Sequence, residues 1–393
     1  MKIFQINCVY GRGSTGTLTR ALHRGLTGLG EDSRVIYGRG EDTEEVGVSR
    51  LGSELYGKAN GLRARLSGLM YGGCELSTGR LITLLRDERP DLVHLQCING
   101  TFVNVYRLID FLKREGIPTV ITLHAEFLYT ANCSHAYDCD KWKTGCGACP
   151  NPRVQTHSWL FDASAASWKR MAEAFDGFEK LSVVSVSPWQ RERAEQSPFF
   201  RNARHRVILN GVDSVVFRSV PERERREHVR ILHVSPHFDP SPGHIKGGEY
   251  VLRLAERLGD RAEIQIVGPA EPCRAPENVK LLGAIWQPKE LAKLYSQADL
   301  TLLTSRRETF SMVCVESLCC GTPVVGFAAG GPESIALREY SSFVPFGDED
   351  ALYKAVLTPP PGTAERISRA AAERYGLERM IEEYLDEYRK VRT

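Results

Sequence analysis

The feature that most constrains this chain is an alternation of short, β-branched apolar runs with longer stretches of helical spacing, and the alternation occurs twice. In the first half the runs Ile3–Val9, Arg34–Tyr37, Leu92–Gln96, Thr119–Leu123, Leu181–Ser185 and Arg206–Leu209 read as strands, with helices such as Thr17–Leu29 and Phe102–Glu115 between them. Strands kept apart by helix-length segments cannot close as hairpins, so they pair in parallel through crossover helices that cover both faces of the sheet. The pattern restarts after Arg225 with Val229–Val234, Glu263–Val267, Val279–Leu282, Leu300–Leu303, Pro323–Gly326 and Ser342–Pro345. The class is α/β, in two doubly wound sheets. A chain of 393 residues supports two cores of ordinary size. The expected domains are 1–212 and 229–375, joined by the polar stretch 213–228. The apolar spacing of Leu377–Lys390 marks 376–393 as a closing amphipathic helix, expected to pack back on the N-terminal domain.

Composition excludes several classes. Fifty-one Lys and Arg residues against 49 Asp and Glu leave a net charge of only +2, so no global basic excess argues for nucleic acid. The basic runs at 201–206 and 221–230 read as solvated linker. No stretch approaches the roughly 18 apolar residues that a membrane-spanning helix needs, and the first residues lack the pattern of a signal peptide. Eleven cysteines are an odd number, and seven (Cys8, Cys74, Cys97, Cys273, Cys314, Cys319 and Cys320) lie scattered in apolar context, which suits a cytoplasmic protein.

Gly11-Arg-Gly-Ser-Thr-Gly16 follows the first strand and opens a helix, the context of a dinucleotide fingerprint. A dinucleotide site also needs an acidic residue at the end of the second strand, whereas Val35–Arg39 ends in a base. The segment therefore reads either as a tight turn or as a Gly-rich loop whose amides at Gly13, Ser14, Thr15 and Gly16 meet an anion. In the second half, Glu308 and Glu316 are separated by seven residues and frame the apolar run Met312–Val315. Glu308 is expected before a helix and Glu316 about two turns inside it, at the carboxyl edge of the sheet where open α/β folds bind ligands. Lys246 follows a Pro- and Gly-rich loop at the start of a helix. His124 ends the strand Thr119–Leu123 at the corresponding edge of the first domain, as a satisfied core residue or as a site residue.

These residues, together with Asn210-Gly-Val-Asp213 and Gly321-Thr-Pro-Val-Val, resemble the large retaining glycosyltransferase family of GT-B fold, of the family-four type. The resemblance implies two Rossmann-like domains facing a central cleft. In that family the second glutamate holds the donor ribose and the first contacts the transferred sugar, which would cast Glu316 and Glu308 in those roles. Backbone amides at Phe310, Ser311 and Met312 would receive phosphate or sugar oxygens, and His124 would lie beside the donor sugar. Lys246 would neutralise the diphosphate leaving group. The second cation the family usually adds would come from His237, in Ser235-Pro-His-Phe238, or from Arg306 or Arg307.

The segment His124-Ala through Cys133, Cys139, Cys146 and Cys149 further resembles the colanic-acid and related exopolysaccharide glycosyltransferases, a subgroup with a four-cysteine insert, here 130–152. Cys146-Gly-Ala-Cys149 is a zinc-knuckle spacing, so the four thiols are candidates for one structural zinc, with disulfides or free thiols as the alternatives. No catalytic metal is expected. The implied substrates are a nucleotide diphosphate-sugar carrying a hexose, and a sugar, lipid-linked or small-molecule acceptor. Lys58, Arg63 and Arg65 beside Leu62, Leu66, Leu69 and Met70 are candidates for peripheral contact with the cytoplasmic face of a membrane, or simply an ordinary amphipathic helix. An NAD-dependent oxidoreductase and a non-catalytic nucleotide-sugar or glycan-binding protein are the rival readings.

Overall fold

A computed structural model describes residues 1–150, 152–220 and 228–392. The chain divides into two compact units, one made of Met1–Leu209 with the segment from Met380 onward, the other of Asn210–Arg379.

The first unit is built on seven strands, β1 (Lys2–Val9), β2 (Asp32–Arg39), β3 (Val48–Arg50), β4 (Leu92–Leu95), β5 (Thr119–Leu123), β6 (Leu181–Ser185) and β7 (Arg204–Val207). They pair in the order β3-β2-β1-β4-β5-β6-β7, all parallel. The order reverses between β1 and β4, with Ile3 opposite Ser33 on one side and Leu92 on the other. Strand β3 escapes a reading by apolar pattern because its three residues, Val-Ser-Arg, carry no run of buried side chains at the sheet edge. Strand β7 pairs two residues earlier than the apolar run suggests. Ile208 and Leu209 are buried, but only after the ladder has ended.

Several buried positions inside this sheet are polar: Gln5, Asn7, His94, Gln96, Thr122 and Ser182 are all within 3% of complete burial. A buried polar group without a partner costs free energy, so each must be satisfied internally. The last helix, Leu377–Arg392, supplies many of the partners. The Tyr388 hydroxyl lies 2.7 Å from His94 Nδ1, the Tyr384 hydroxyl 2.8 Å from Thr122 Oγ1, and Ser182 Oγ donates to Glu387 at 2.6 Å. Arg206 adds an ion pair to Asp386 at 2.6 Å and a second contact to the buried Glu387 at 3.2 Å. The helix thus docks by polar matching across β4 to β7 as well as by its apolar stripe.

The second unit carries β8 (Val229–Val234), β9 (Ala262–Val267), β10 (Val279–Gly283), β11 (Leu300–Leu303), β12 (Val324–Phe327) and β13 (Ser341–Val344), in the parallel order β10-β9-β8-β11-β12-β13. Here the order reverses between β8 and β11. Its core packs Ile231, Ile264, Ile266, Leu300, Leu302, Val325 and Phe327 against the helices Gly248–Leu258 and Glu349–Leu357. Both units are thus doubly wound, and each has a switch point, the place where open α/β sheets bind ligands at the carboxyl ends of their strands. No helix among the described residues is long and apolar enough to cross a membrane.

Candidate functional site

In the second unit three loops leave the carboxyl ends of adjacent strands and are tied to one another through their backbones. The loop after β8 ends at Lys246-Gly247, and the loop after β11 runs from Thr304 to Ser311. Arg306 N donates to Ile245 O at 2.8 Å, and Thr304 Oγ1 donates to Lys246 O at 2.8 Å. Gly247 sits at φ +65 with the Thr304 carbonyl where a side chain would project, 2.2 Å from an ideal Cβ, so only glycine fits. The loop after β12 closes the set: Glu308 N donates to Ala329 O at 3.0 Å, and Gly331 N to Glu308 O at 2.8 Å. A Cβ on Gly331 would lie 2.4 Å from the Thr309 carbonyl carbon. Glu333 holds this last turn by accepting from Ala329 N at 3.0 Å and Gly330 N at 2.7 Å.

This arrangement brings Lys246 and Glu308 together, with Nζ to Oε1 at 2.5 Å. Both side chains are partly exposed, so the pair is accessible to a ligand rather than sealed in a core. Phe310, Ser311 and Met312 lie at the amino end of the helix Met312–Cys319, where the helix dipole favours an anion. Ser311 caps that helix, its hydroxyl accepting from Cys314 N at 3.2 Å, with φ 88 and ψ 94. A non-glycine residue at positive φ is strained and persists only where its surroundings hold it, which fits a loop built for a purpose beyond chain reversal.

Glu316 lies one turn inside this helix, not two, because the helix begins at Met312, after the Glu308 loop has been pinned to Ala329 and Gly331. Its carboxylate accepts from the Tyr295 hydroxyl at 3.1 Å, and burial pushes its pKa up to about 7 against the opposing effect of that hydrogen bond. Near neutral pH the group is therefore poised between a donor-capable acid and an acceptor carboxylate. Tyr295 stands on a different helix, Pro288–Gln297, and no local pattern in the sequence marks it.

The cation candidates separate. His237, on the loop after β8, pairs with Glu271 at 2.9 Å, away from the Lys246–Glu308 pair in its contacts. Arg306 lies over the Phe346 ring, 5.9 Å from its centroid.

In the first unit, Gly13, Ser14, Thr15 and Gly16 form the first turn of the helix Gly13–Gly28, which begins earlier than the apolar spacing from Thr17 indicates. The start is permitted by Gly11 and Gly13 at φ +66 and +61 and by a backbone bond from Gly11 N to Gly16 O at 2.9 Å. No side chain caps this helix, which leaves its first amides open to an anion. His124 follows β5, and its Nε2 lies 3.4 Å from Gln96 Oε1 at the end of neighbouring β4. Burial holds its imidazole neutral, with the pKa pushed down to about 4. Gln96 was not among the residues singled out from sequence. The signal available was an amide ending a buried strand that also carries His94.

The insert is anchored by Trp142, which is buried against Tyr129, and whose Nε1 donates to Cys139 O at 2.8 Å. The Cys133 thiol is pushed up chiefly by burial and then by Cys146, Cys149 and Cys139. Among the described residues no group of three or more His, Cys, Asp or Glu side chains is arranged to hold a metal ion.

The glycosyl transferase 4-like domain model matches residues 13–211, and the model for glycosyl transferases group 1 matches 229–358. The chain belongs to the glycosyl transferase 4-like family. WcaC of Escherichia coli K12, named for colanic acid biosynthesis, is 23% identical over the whole of both chains. Among solved structures, a sucrose-phosphate synthase from Thermosynechococcus elongatus superposes with a TM-score of 0.69 at 17% identity, covering 99% of this chain and 98% of that one. Anabaena HepE in complex with UDP gives a TM-score of 0.65 at 14% identity, covering 99% of this chain and all of the other. The two Rossmann-like units are those of the GT-B fold. The family match sets aside the nicotinamide reading of Gly11–Gly16.

Proposed function

We propose that this glycosyltransferase moves a hexose from a nucleotide diphosphate-sugar to an acceptor hydroxyl with retention of configuration, in the cytoplasm, during synthesis of a polysaccharide or glycoconjugate. The observation that carries the reading is the Lys246–Glu308 pair, held by three cross-pinned loops at the switch point of the second unit with Glu316 one helical turn beyond. A nucleotide-sugar supplies partners for each group. Its diphosphate draws the Lys246 ammonium and the amides at Phe310–Met312, its sugar hydroxyls meet the Glu308 carboxylate, and its ribose diol meets Glu316. As the sugar–phosphate bond breaks, charge grows on the diphosphate, and fixed cations and amides stabilise that charge more than they stabilise the bound donor. Lys246 gives up part of its pairing with Glu308 to do so, leaving Glu308 free to accept from the sugar. The Gly13–Gly16 helix start and His124 are the groups of the first unit suited to bind substrate. The wider likeness to WcaC, and the UDP and UDP-glucose complexes of HepE, support a UDP-hexose and a polysaccharide setting. A thermal-shift panel of UDP-, GDP- and ADP-sugars followed by nucleotide-release assays tests the reading, since a ligand of the native state raises its melting temperature. Turnover without added divalent cation is expected, and a requirement for one would count against the assignment of the leaving-group charge to Lys246. Donor binding with no transfer or release would leave a binding protein.

The acceptor reading is lipid-linked, and it rests on an exposed face of the first unit. On the helix Glu54–Ser67, Leu62 and Leu66 are exposed beside Phe161, whose side chain completes a groove with Ala59 and Arg63. Trp159, Leu160 and Phe161 project from a turn closed by Ser158 Oγ donating to Phe161 O at 2.6 Å, and Trp159 N donates to Arg65 O at 2.7 Å. Exposed aromatic and leucine side chains among Lys58, Arg63 and Arg65 match the chemistry of an anionic bilayer surface. Sedimentation with phosphatidylcholine vesicles carrying phosphatidylglycerol, against phosphatidylcholine alone, is expected to show binding lost in Trp159→Ser/Phe161→Ser. Equal sedimentation of the variant would remove the membrane from the account.

For the insert, the reading is one structural zinc on Cys133, Cys139, Cys146 and Cys149; it rests on the Cys-x2-Cys spacing, because among the described residues the four thiols are not arranged to hold an ion. Metal analysis of protein purified without chelator, repeated on Cys146→Ser, tests it. An equivalent of zinc lost in the variant is expected, and its absence from the wild type excludes the site.

A further inference from the structure

Behind His124 a series of buried side chains runs across the first unit, and its hydrogen bonds have only one consistent direction. At the far end His23 Nε2 lies 3.2 Å from the Val46 carbonyl oxygen. A carbonyl can only accept, so Nε2 carries the proton. Burial is the main cause lowering the His23 pKa, so the ring is neutral and its Nδ1 is an acceptor. The Ser33 hydroxyl, 3.0 Å from that Nδ1, must then donate to it. With its one proton committed, Ser33 Oγ can only accept from Gln5, whose Nε2 lies 3.1 Å away. That fixes Gln5 Oε1 as the atom turned to Gln96, and Gln96 Nε2 donates to it at 2.8 Å. The remaining atom of the Gln96 amide is Oε1, an acceptor, and it faces His124 Nε2.

We propose that Gln96, Gln5, Ser33 and His23 are positioning residues that fix His124 as the Nε2–H tautomer, so that Nδ1 is its acceptor nitrogen, with the choice set by the Val46 carbonyl at the far end. Five hydrogen bonds then point the same way, and each polarises the next. The four side chains are no more than 6% exposed, so water does not compete for their donors and acceptors. A histidine at the end of a strand could otherwise exchange tautomers with little cost, presenting an N–H where a sugar hydroxyl needs a lone pair. The chain excludes that exchange, because reversing the ring would set an Nε2 lone pair against the Gln96 carbonyl oxygen.

The inference rests on the reading of His124 as a site residue, and the test separates the two. Nitrogen-15 spectra of histidine-labelled protein report the tautomer whether or not the protein turns over. The signal assigned by its loss in His124→Ala is expected to show a protonated Nε2 in the wild type. In Ser33→Ala the Gln5 amide loses its acceptor and its reason to keep one orientation, so His124 is expected to become a tautomer mixture. The kcat should fall by about tenfold or more at little change in donor KM. Ser33→Thr, which keeps the hydroxyl, is expected to restore both, and this rescue distinguishes the chain from a general loss of packing. A wild-type His124 protonated on Nδ1, or a single Nε2–H tautomer retained in Ser33→Ala, overturns the proposal. If instead the tautomer shifts as expected while His124→Ala retains full turnover with an identified donor, the chain stands and the functional reading of His124 falls.

Discussion

The two units repeat one topology and arrive at opposite electrostatics. At the switch point of the second, β8 and β11 send out loops that carry Lys246 and Glu308, with Glu316 on the helix beyond, so every side chain singled out there can bear charge. The corresponding edge of the first offers an uncapped helix start built from Gly13–Gly16 and a histidine whose burial keeps it neutral. The charged edge is rigid because its loops are pinned backbone to backbone. The neutral edge is rigid because amides, hydroxyls and imidazoles inside the sheet are satisfied in series. Charge needs solvent or a ligand close by, and partly exposed loops provide both. A fixed neutral acceptor needs the reverse, a dry interior in which proton positions cannot exchange.

The sharpest way to break this comparison is to remove the charge. Lys246→Ala is expected to lower kcat by about 10²–10³-fold, the range seen when a preorganised group facing developing charge is deleted, and Lys246→Arg to lower it much less. Equal loss in both, measured by nucleotide release, would mean that Lys246 acts by shape. Glu316 offers the next effect. With its pKa at about 7, donor affinity is expected to fall by up to about tenfold per pH unit below that value, as the carboxylate needed by the ribose diol becomes protonated. Stability runs the other way. A carboxyl whose folded pKa lies above its unfolded one contributes stability that is complete below the ordinary carboxylate range and is lost as the pH rises through about 7. Isothermal titration of donor against pH checks the binding limb, and Glu316→Gln should flatten it. A wild-type affinity that is level between pH 5 and 8 would show that Glu316 does not take the ribose.

Two smaller effects probe rigidity on each side. Gly331→Ala places a methyl into the Thr309 backbone and is expected to destabilise the second unit by about 1–3 kcal/mol in urea unfolding. Turnover should fall as well, because the Glu308 loop must shift. In the first unit, Tyr388→Phe leaves His94 Nδ1 without its partner at full burial and is expected to cost about 1–3 kcal/mol, with donor affinity unchanged. A variant as stable as the wild type would show that the Tyr388–His94 contact contributes nothing to the docking of the last helix.

Most strands were legible because a parallel sheet covered on both faces demands continuous apolar runs, and such runs survive in the sequence wherever burial is complete. The exceptions follow the same physics. β3 is a short edge strand with nothing to bury, and β7 ends before its apolar run does because burial and ladder pairing are separate requirements. The start of the Gly13–Gly28 helix and the depth of Glu316 were misplaced because helix ends are decided by loop contacts, here Gly11 N to Gly16 O and the ties of Glu308 to Ala329 and Gly331.

What the sequence determined by itself was the α/β class, the position of each switch-point loop along the chain, and the set of charged side chains it would carry, because these depend on periodicity and residue type within a few dozen positions. Only the tertiary structure decided which of them meet. It joined Lys246 to Glu308 across 62 residues and paired His237 with Glu271 instead. It set Tyr295 against Glu316, and placed Gln96, Gln5, Ser33 and His23 end to end behind His124. Pairings of that kind arise where neighbouring strands bring distant residues within hydrogen-bonding reach in a space that excludes water, and a linear pattern carries no record of which neighbours those will be.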